Sequence, residues 1–369
     1  MTSLQPIITG GLQYNHIVGT GGIGSGIFFS LRGDHTLGRN ESRAATLPPY
    51  RDFCKQHIIL HYISVLLGAK PGANFQVFPI GAVGDDDIGR KLLLQMEETG
   101  MDIRNVAING ECSTLFSVCF QYPDHTGGNI TTDNSASNSV SPESIDAFFR
   151  EFEMDGSSEI ILAVPEVPVQ TRVKLLQYGR ERGSLNIAAV LSAETDQFCD
   201  LQGFCLVDFL SINIDEARSI ARISDDRLST NAVVDACLNE LITLNPAISV
   251  LITDGANGSY YYTNNCLEHI PALNTEAIST AGAGDAFLAG TITGICCGLP
   301  LAKGGNDAFF AETPLVTAVE LGTLLASLSV NSCHTIHPEA DARLLYSFAI
   351  KKDLQLSDNY LKLFKDQIV

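Results

Sequence analysis

The chain has no Cys-x-x-Cys pair, no zinc-finger spacing, no internal repeat and no low-complexity tract. Its ten cysteines include Cys119, Cys205, Cys296 and Cys297 inside apolar runs, where a reduced, buried thiol is expected rather than a disulfide. The opening MTSLQPIITGG lacks a basic stretch followed by an apolar one, so no signal peptide is expected. No apolar run reaches the roughly eighteen residues that a membrane-spanning helix needs. Positive charge is scarce: 23 Lys and Arg stand against 42 Asp and Glu, giving a net charge of −19 and a pI near 4.7. Such a surface repels phosphate backbones and anionic lipid, which excludes nucleic acid and membranes as partners and leaves a small molecule. An anionic substrate would need local positive groups to overcome that mean field. A reducing, cytoplasmic location fits all of these absences.

The 369 residues, 45% hydrophobic and 18% charged, suffice to bury a large core. Strand-like apolar runs at 16–18, 75–80, 160–164, 186–191, 205–212 and 248–253 alternate with helix-period segments at about 53–67, 88–99, 142–152, 168–182 and 232–243. That alternation predicts an α/β domain with a mostly parallel central sheet flanked by helices on both faces, three layers in all. Two more helices are expected at about 282–297 and 315–331. Two Gly- and Thr-rich stretches interrupt the pattern and are expected to form a small β-lid, with segments at about 23–45 and 113–135. The main domain then covers 1–350, and a helical tail over 351–369, capped at Ser357-Asp358, packs on it.

The sharpest motif is Ala281-Gly-Ala-Gly-Asp285 at the start of an apolar helix. Small residues let the backbone approach a phosphate, and the free N–H groups of a first helical turn point at it. An aspartate beside that turn can take a proton from an attacking hydroxyl, which is the main covalent task that phosphoryl transfer leaves to a protein. A glycine-rich turn with Asp285 as a plain helix cap is the competing reading.

Here the chain resembles the phosphofructokinase B, or ribokinase-like, carbohydrate kinase family. That family's signature Asp-Thr-x-Gly-Ala-Gly-Asp-x-Phe-x-x-Gly is matched at Thr280, Gly282, Ala283, Gly284, Asp285, Phe287 and Gly290. Three further blocks follow the family's order: Gly81-Ala-Val-Gly-Asp-Asp-Asp-Ile-Gly89, Asn213-Ile-Asp-Glu216 and Thr253-Asp-Gly-Ala-Asn-Gly258. The resemblance implies a ribokinase-like fold and an ATP-dependent kinase acting on a hydroxyl of a sugar, sugar acid or nucleoside-like acceptor. It implies Asp285 as base, with the N–H groups of Gly282, Ala283 and Gly284 as an anion hole. It implies Asn213 and Glu216 organising Mg²⁺ through water, and Thr253, Gly255, Gly258 and Thr280 lining the nucleotide site. It further implies a homodimer formed through the lid. Asn213 and Glu216 also fit a helix capping box, and Gly255 and Gly258 also fit hairpin glycines.

The chain departs from the family on the acceptor side. Ser279 replaces the signature's first aspartate, and Cys54-Lys-Gln-His-Ile-Ile-Leu-His61 stands where a Gly-Gly-x-x-x-Asn sugar block is expected. No aspartate follows shortly after Gly19; the first is Asp34. Asp34, Arg39 and Arg43 are candidates to hold the substrate, the arginines through an anionic group on it, or else belong to a solvated loop. His57 and His61, at i and i+4, have metal-ligand spacing without a third ligand, so His57 is taken as a packed or substrate-side residue. Two other readings stay open: a non-catalytic binding protein on the same fold, and an NAD-dependent oxidoreductase using the Gly19–Gly24 match to G-x-G-x-x-G.

Overall fold

A computed structural model describes residues 2–124, 127–152, 158–225, 227–303 and 313–368. The apolar runs form the strands of a nine-stranded sheet, numbered here in chain order together with the lid strands. Its parallel strands are β1 (His16–Thr20), β5 (Gln76–Gly84), β6 (Val106–Asn109), β9 (Glu159–Ala163), β10 (Leu185–Ala188), β11 (Phe209–Asn213) and β12 (Ser249–Thr253). Two antiparallel strands, β13 (Ser259–Thr263) and β14 (Cys266–Ile270), close one edge. The order β14-β13-β12-β11-β10-β9-β1-β5-β6 puts the first strand between β9 and β5. The sense of winding reverses there, and in such sheets ligands bind beyond the carboxyl ends of the strands at the reversal.

Helices cover both faces of this sheet. One core joins it to α1 (Lys55–Leu67), α2 (Asp87–Glu98), α8 (Ala283–Cys296), α9 (Ala318–Ser329) and α10 (Ala342–Lys351). The other joins it to α3 (Pro142–Glu151), α4 (Val169–Arg182), α5 (Thr195–Asp200), α6 (Ile214–Ile220) and α7 (Thr230–Leu244). The chain ends in α11 (Asp358–Leu363), whose Tyr360 is fully buried and donates its hydroxyl to the Thr317 carbonyl at 2.7 Å. None of the helices among the described residues is long and apolar enough to cross a membrane.

The lid is a separate sheet of β2 (Gly24–Leu31), β3 (Ala45–Thr46), β4 (Arg51–Phe53), β7 (Leu115–Gln121) and β8 (Gly127–Thr131). Its register puts Gly26 opposite both Asp52 and Ser117, and Ser117 opposite Thr131. Alternation therefore gives one face to Asp52, Ser117, Cys119 and Thr131, and the other to Ile27, Phe29, Val118, Phe120 and Ile130. The Gly81–Gly89 block is the joint between lid and main sheet. Asp86 caps α2 by accepting the Gly89 N–H at 2.8 Å and also accepts the Thr114 N–H and hydroxyl, both at 2.8 Å, just before β7.

Three expectations are corrected. The strand anticipated over 205–212 is a 3-10 turn over Gly203–Leu206 followed by β11, because Gln202 turns the chain left-handed at φ 59°. The β13–β14 hairpin stands before α8 where no strand run was marked, although Gly255 and Gly258 fit hairpin glycines. The Gly19–Gly24 segment passes from β1 straight into β2 and opens no helix, so it is not a dinucleotide fingerprint. Its glycines allow close approach to the exit of β9: a Cβ on Gly21 would lie 2.4 Å from Val164 Cγ2, and one on Gly22 would lie 2.4 Å from Glu166 Cβ.

Helix α1 is apolar nearly all round and lies between the sheet and α8, so His57 and His61 do not form a solvent face. His57 is completely enclosed, edge-on to Phe53, and neither ring nitrogen has a hydrogen-bond partner among the described residues. Burial holds His57 neutral down to about 3, with the neighbouring His61 adding to the effect, and holds His61 neutral down to about 4. In the unfolded chain both rings gain a proton below about 6.5. The unfolded state thus binds more protons as the pH falls from that value, and the fold loses up to about 1.4 kcal/mol per pH unit for each ring. Urea unfolding at pH 7.5 and 5.0 should show this loss, and His57→Gln should reduce it by close to half. Equal pH dependence in the two proteins would mean that His57 is not buried neutral.

Candidate active site

The sequence from Ser279 to Asp285 folds as a tight turn into α8. Gly282 is the N-cap at φ 78°, and a Cβ there would sit 2.7 Å from the Thr335 carbonyl oxygen, so only glycine fits. The Ala283 N–H turns back to the Thr280 carbonyl at 3.2 Å, which takes it out of the expected anion hole. The N–H groups of Gly284 and Asp285 have no backbone partner outside the helix among the described residues, and the space beside the Gly284 Cα is open. These donors and the positive end of the α8 dipole suit a phosphate.

In front of that turn lies a cavity of about 520 Å³. Thr253, Gly255, Gly258, Thr280, Ala283 and Gly284 all line it, whereas Asn213 and Glu216 are not among its lining residues. Gly255 and Gly258, at φ 52° and 95°, also make the β12–β13 turn; the hairpin reading and the lining position coexist. Phe287, Thr275 and Val330 give the far wall an apolar and hydroxyl character suited to a flat heterocycle.

Asp285, with 15% of its side chain exposed, lies 3.5 Å from the Nζ of Lys55, the first residue of α1. Asp285 above all, then Glu216 and Glu166, holds the Lys55 ammonium charged well above the usual lysine range, against the effect of its burial. Burial raises the Glu216 carboxyl, while Lys55 and the Asn213 N–H oppose it. Burial also pushes Glu166 up to about 7, against the Cys54 thiol hydrogen bond and the charge of Lys55. Glu166 leaves β9 with a left-handed backbone, φ 77°, a strained conformation for a residue with a side chain, and its Oε2 is buried without a hydrogen-bond partner among the described residues.

Asn213 and Glu216 form a reciprocal capping box at α6: Asn213 Oδ1 accepts the Glu216 N–H, and Glu216 Oε2 accepts the Asn213 N–H, both at 2.8 Å. The box uses one carboxylate oxygen of Glu216. Among the described residues no three metal-ligating side chains converge, so any bound cation would be held largely through water and phosphate. The surplus of carboxylates around a single lysine is the chemistry that a hydrated Mg²⁺ would balance.

From the lid, Asp52 lies on the same face as Thr131, and its Oδ2 accepts from the Ser117 hydroxyl at 3.1 Å and the Cys119 thiol at 3.3 Å. Burial raises the Asp52 carboxyl, and these two hydrogen bonds lower it. The other acceptor-side candidates do not gather here. Asp34 and Arg39 are exposed in the loop after β2. Arg43 is clamped in that loop by Glu41 at 2.6 Å and by the His35 carbonyl at 2.7 Å, beside the Tyr122 ring. Enclosure puts His57 out of reach of a substrate, which corrects its assignment to the substrate side.

Lys55, Glu166 and Asp52 were not anticipated. Lys55 is the one basic residue of α1, in a chain short of cations, and Glu166 stands between Pro165 and Pro168 at the carboxyl end of a buried strand. Those local signals were legible. Asp52 becomes significant only through the pairing of β4 with β2.

Comparison with known proteins places these features in context. The profile described as "pfkB family carbohydrate kinase" matches residues 62–342. The deoxyribokinase of Salmonella typhi is 25% identical over 223 residues, which are 58% of this chain and 67% of that protein. The fold matches the ribokinase of Cryptococcus neoformans var. grubii in complex with ADP at TM-score 0.70 and 17% identity, covering 90% of this chain and 99% of that one. It also matches the aminoimidazole riboside kinase of Salmonella enterica, complexed with aminoimidazole riboside and an ATP analogue, at TM-score 0.62 and 17% identity over 90% and 99% of the chains.

Removing the lysine tests the electrostatics. Lys55→Met leaves the facing carboxylates uncompensated and should cost about 3 kcal/mol at pH 8. Because Glu166 can take up a proton near neutrality, part of that loss should return as the pH falls to 6. Melting curves of both proteins at the two pH values measure this. A Lys55→Met deficit that is the same at pH 6 and 8 would contradict the coupling.

Proposed function

The chain belongs to the pfkB family of carbohydrate kinases, and we propose that it transfers the γ-phosphoryl group of ATP to a hydroxyl of a sugar or nucleoside-like acceptor. The observation that carries the reading is the position of Asp285: its helix opens the 520 Å³ cavity on one side, and its carboxylate faces Lys55 and the Glu166 side of the cleft on the other. The acceptor oxygen attacks the γ-phosphorus while its proton passes to an Asp285 carboxylate oxygen, and the bond from the γ-phosphorus to ADP breaks. Lys55 and the N–H groups of Gly284 and Asp285 meet the negative charge on the transferring group. Asn213 and Glu216 would hold Mg²⁺ through its water shell, and the bound ion would supply positive charge to the nucleotide phosphates. The lid covers the cleft and excludes water, so that transfer to the acceptor outcompetes hydrolysis.

Two further parts of the proposal concern the setting. The outer lid face carries half-buried Ile27, Phe29, Val118 and Phe120 and the 66%-exposed Ile130, an apolar surface that fits a second copy of the chain. All ten cysteines are free thiols, which suits the reducing cytoplasm.

Two measurements test this. Asp285→Asn should lower acceptor-dependent ADP release about 10²–10⁴-fold while nucleotide affinity changes little; near-normal turnover would remove Asp285 as the base. Sedimentation should show a dimer that Ile130→Glu converts to monomer, and a monomeric wild-type protein would refute the lid interface.

A further inference from the structure

Residues 330–337, the loop after α9, touch both the turn that opens α8 and the lid. On the turn side, the Val330 carbonyl accepts the Ile278 N–H at 2.7 Å and the Ser279 N–H at 3.3 Å. The Thr335 carbonyl oxygen lies close against Gly282, 2.7 Å from where a Cβ would be. Val330 also lines the 520 Å³ cavity, and Asn331 accepts the hydroxyl of Thr275, another lining residue, at 3.0 Å. On the lid side, the Thr335 hydroxyl donates to the Arg51 carbonyl at 3.4 Å. The His334 ring stands edge-on to Tyr50, with centroids 5.9 Å apart and planes at 71°. Tyr50 in turn packs on Phe28 of β2 at 5.3 Å. Phe28 pairs with Cys119, so these rings stand on the lid face that carries Asp52. The far end of the loop is fixed to buried α1, where the Tyr62 hydroxyl accepts the His337 N–H at 2.8 Å.

The turn depends on this loop. Residues 271–280 form neither helix nor strand, so the two bonds to Val330 hold a segment with little regular structure of its own. Such segments open most readily. The ring contacts are strong enough to matter, since an aromatic pair shifts a local equilibrium by roughly two- to twelvefold. They are also stiff. Pro48 and Pro49 restrict the backbone just before Tyr50, so its ring moves with the lid.

We infer that Tyr50 and His334 are positioning residues, through which the lid and the phosphate-binding turn settle together, so that filling the nucleotide cavity steadies the lid. The link to the nucleotide rests on the donor reading above, whereas the contact itself is testable in the ligand-free chain by hydrogen exchange. There, Tyr50→Ala should speed exchange of the Ile278 and Ser279 amides at least fivefold. Coupling is reciprocal, so His334→Gly should speed the β2 amides by a similar factor. Tyr50→Phe and His334→Phe keep the rings and should stay within twofold of wild type. The main-sheet strands β11 and β12 report general unfolding and should be unchanged. Unaltered exchange at Ile278 and Ser279 in Tyr50→Ala, or equal acceleration of β11 and β12, would overturn the inference. With saturating Mg²⁺ and a non-hydrolysable ATP analogue, β2 exchange should slow at least threefold in wild type and Tyr50→Phe but not in Tyr50→Ala. Lid protection that survives in Tyr50→Ala would overturn it as well. If the analogue does not bind, the donor reading falls and the ligand-free comparison alone decides the inference.

Discussion

Four parts of the chain that are remote in sequence meet around one ammonium group. Glu166 at the exit of β9, Glu216 in α6 and Asp285 in α8 all act on Lys55, whose Nζ lies 3.5 Å from Asp285. Carboxylates brought together out of water repel one another or take up protons unless a cation stands among them. The start of α1 is therefore tied to the switch point of the sheet, and α1 runs from there as a largely buried helix between sheet and α8. In the same arrangement a carboxylate, a cation and a helix terminus converge where β1 has neighbours on both sides.

The lid depends on a smaller device. Asp86 caps α2 with one oxygen while both of its carboxylate oxygens hold Thr114, and the Thr114 hydroxyl in turn accepts the Gly84 N–H at 2.9 Å. One side chain thus ties the end of β5, the start of α2 and the root of β7. The glycines of the Gly81–Gly89 block serve close packing: a Cβ on Gly89 would lie 2.4 Å from the Gly84 carbonyl oxygen.

The layered fold was legible because most of the parallel strands are continuous apolar runs and the longer flanking helices have their own period; β6, α5, α6 and α10 carried no such signal and were not anticipated. The residues around the 520 Å³ cavity were legible for a related reason: they lie in short contiguous blocks, so sequence neighbours remain spatial neighbours. The acceptor side obeys neither rule. Glu166, Lys55 and Asp52 come from an inter-strand exit, a helix start and a lid edge, and only strand register and helix placement make them one surface. Local charge pattern misled in the loop after β2, where Arg43 is engaged by Glu41 in the loop itself. Helical spacing likewise suggested a presented face for His57, which the all-round burial of α1 removes.

The central position of β1 also sets the order in which the molecule can be assembled. Its partners β5 and β9 lie about 60 and about 140 residues later in the chain. During synthesis at about 5–20 residues per second, the β9 side of the first strand stays unsatisfied for roughly seven to thirty seconds. The lid shares the delay, since β2 pairs in parallel with β7 across some ninety residues. Loop closures of this length precede most of the contacts that reward them, which makes folding slow and leaves two apolar strand edges open to other nascent chains. The topology that creates the cleft is thus also what makes a newly made copy dependent on protection until its middle third has emerged.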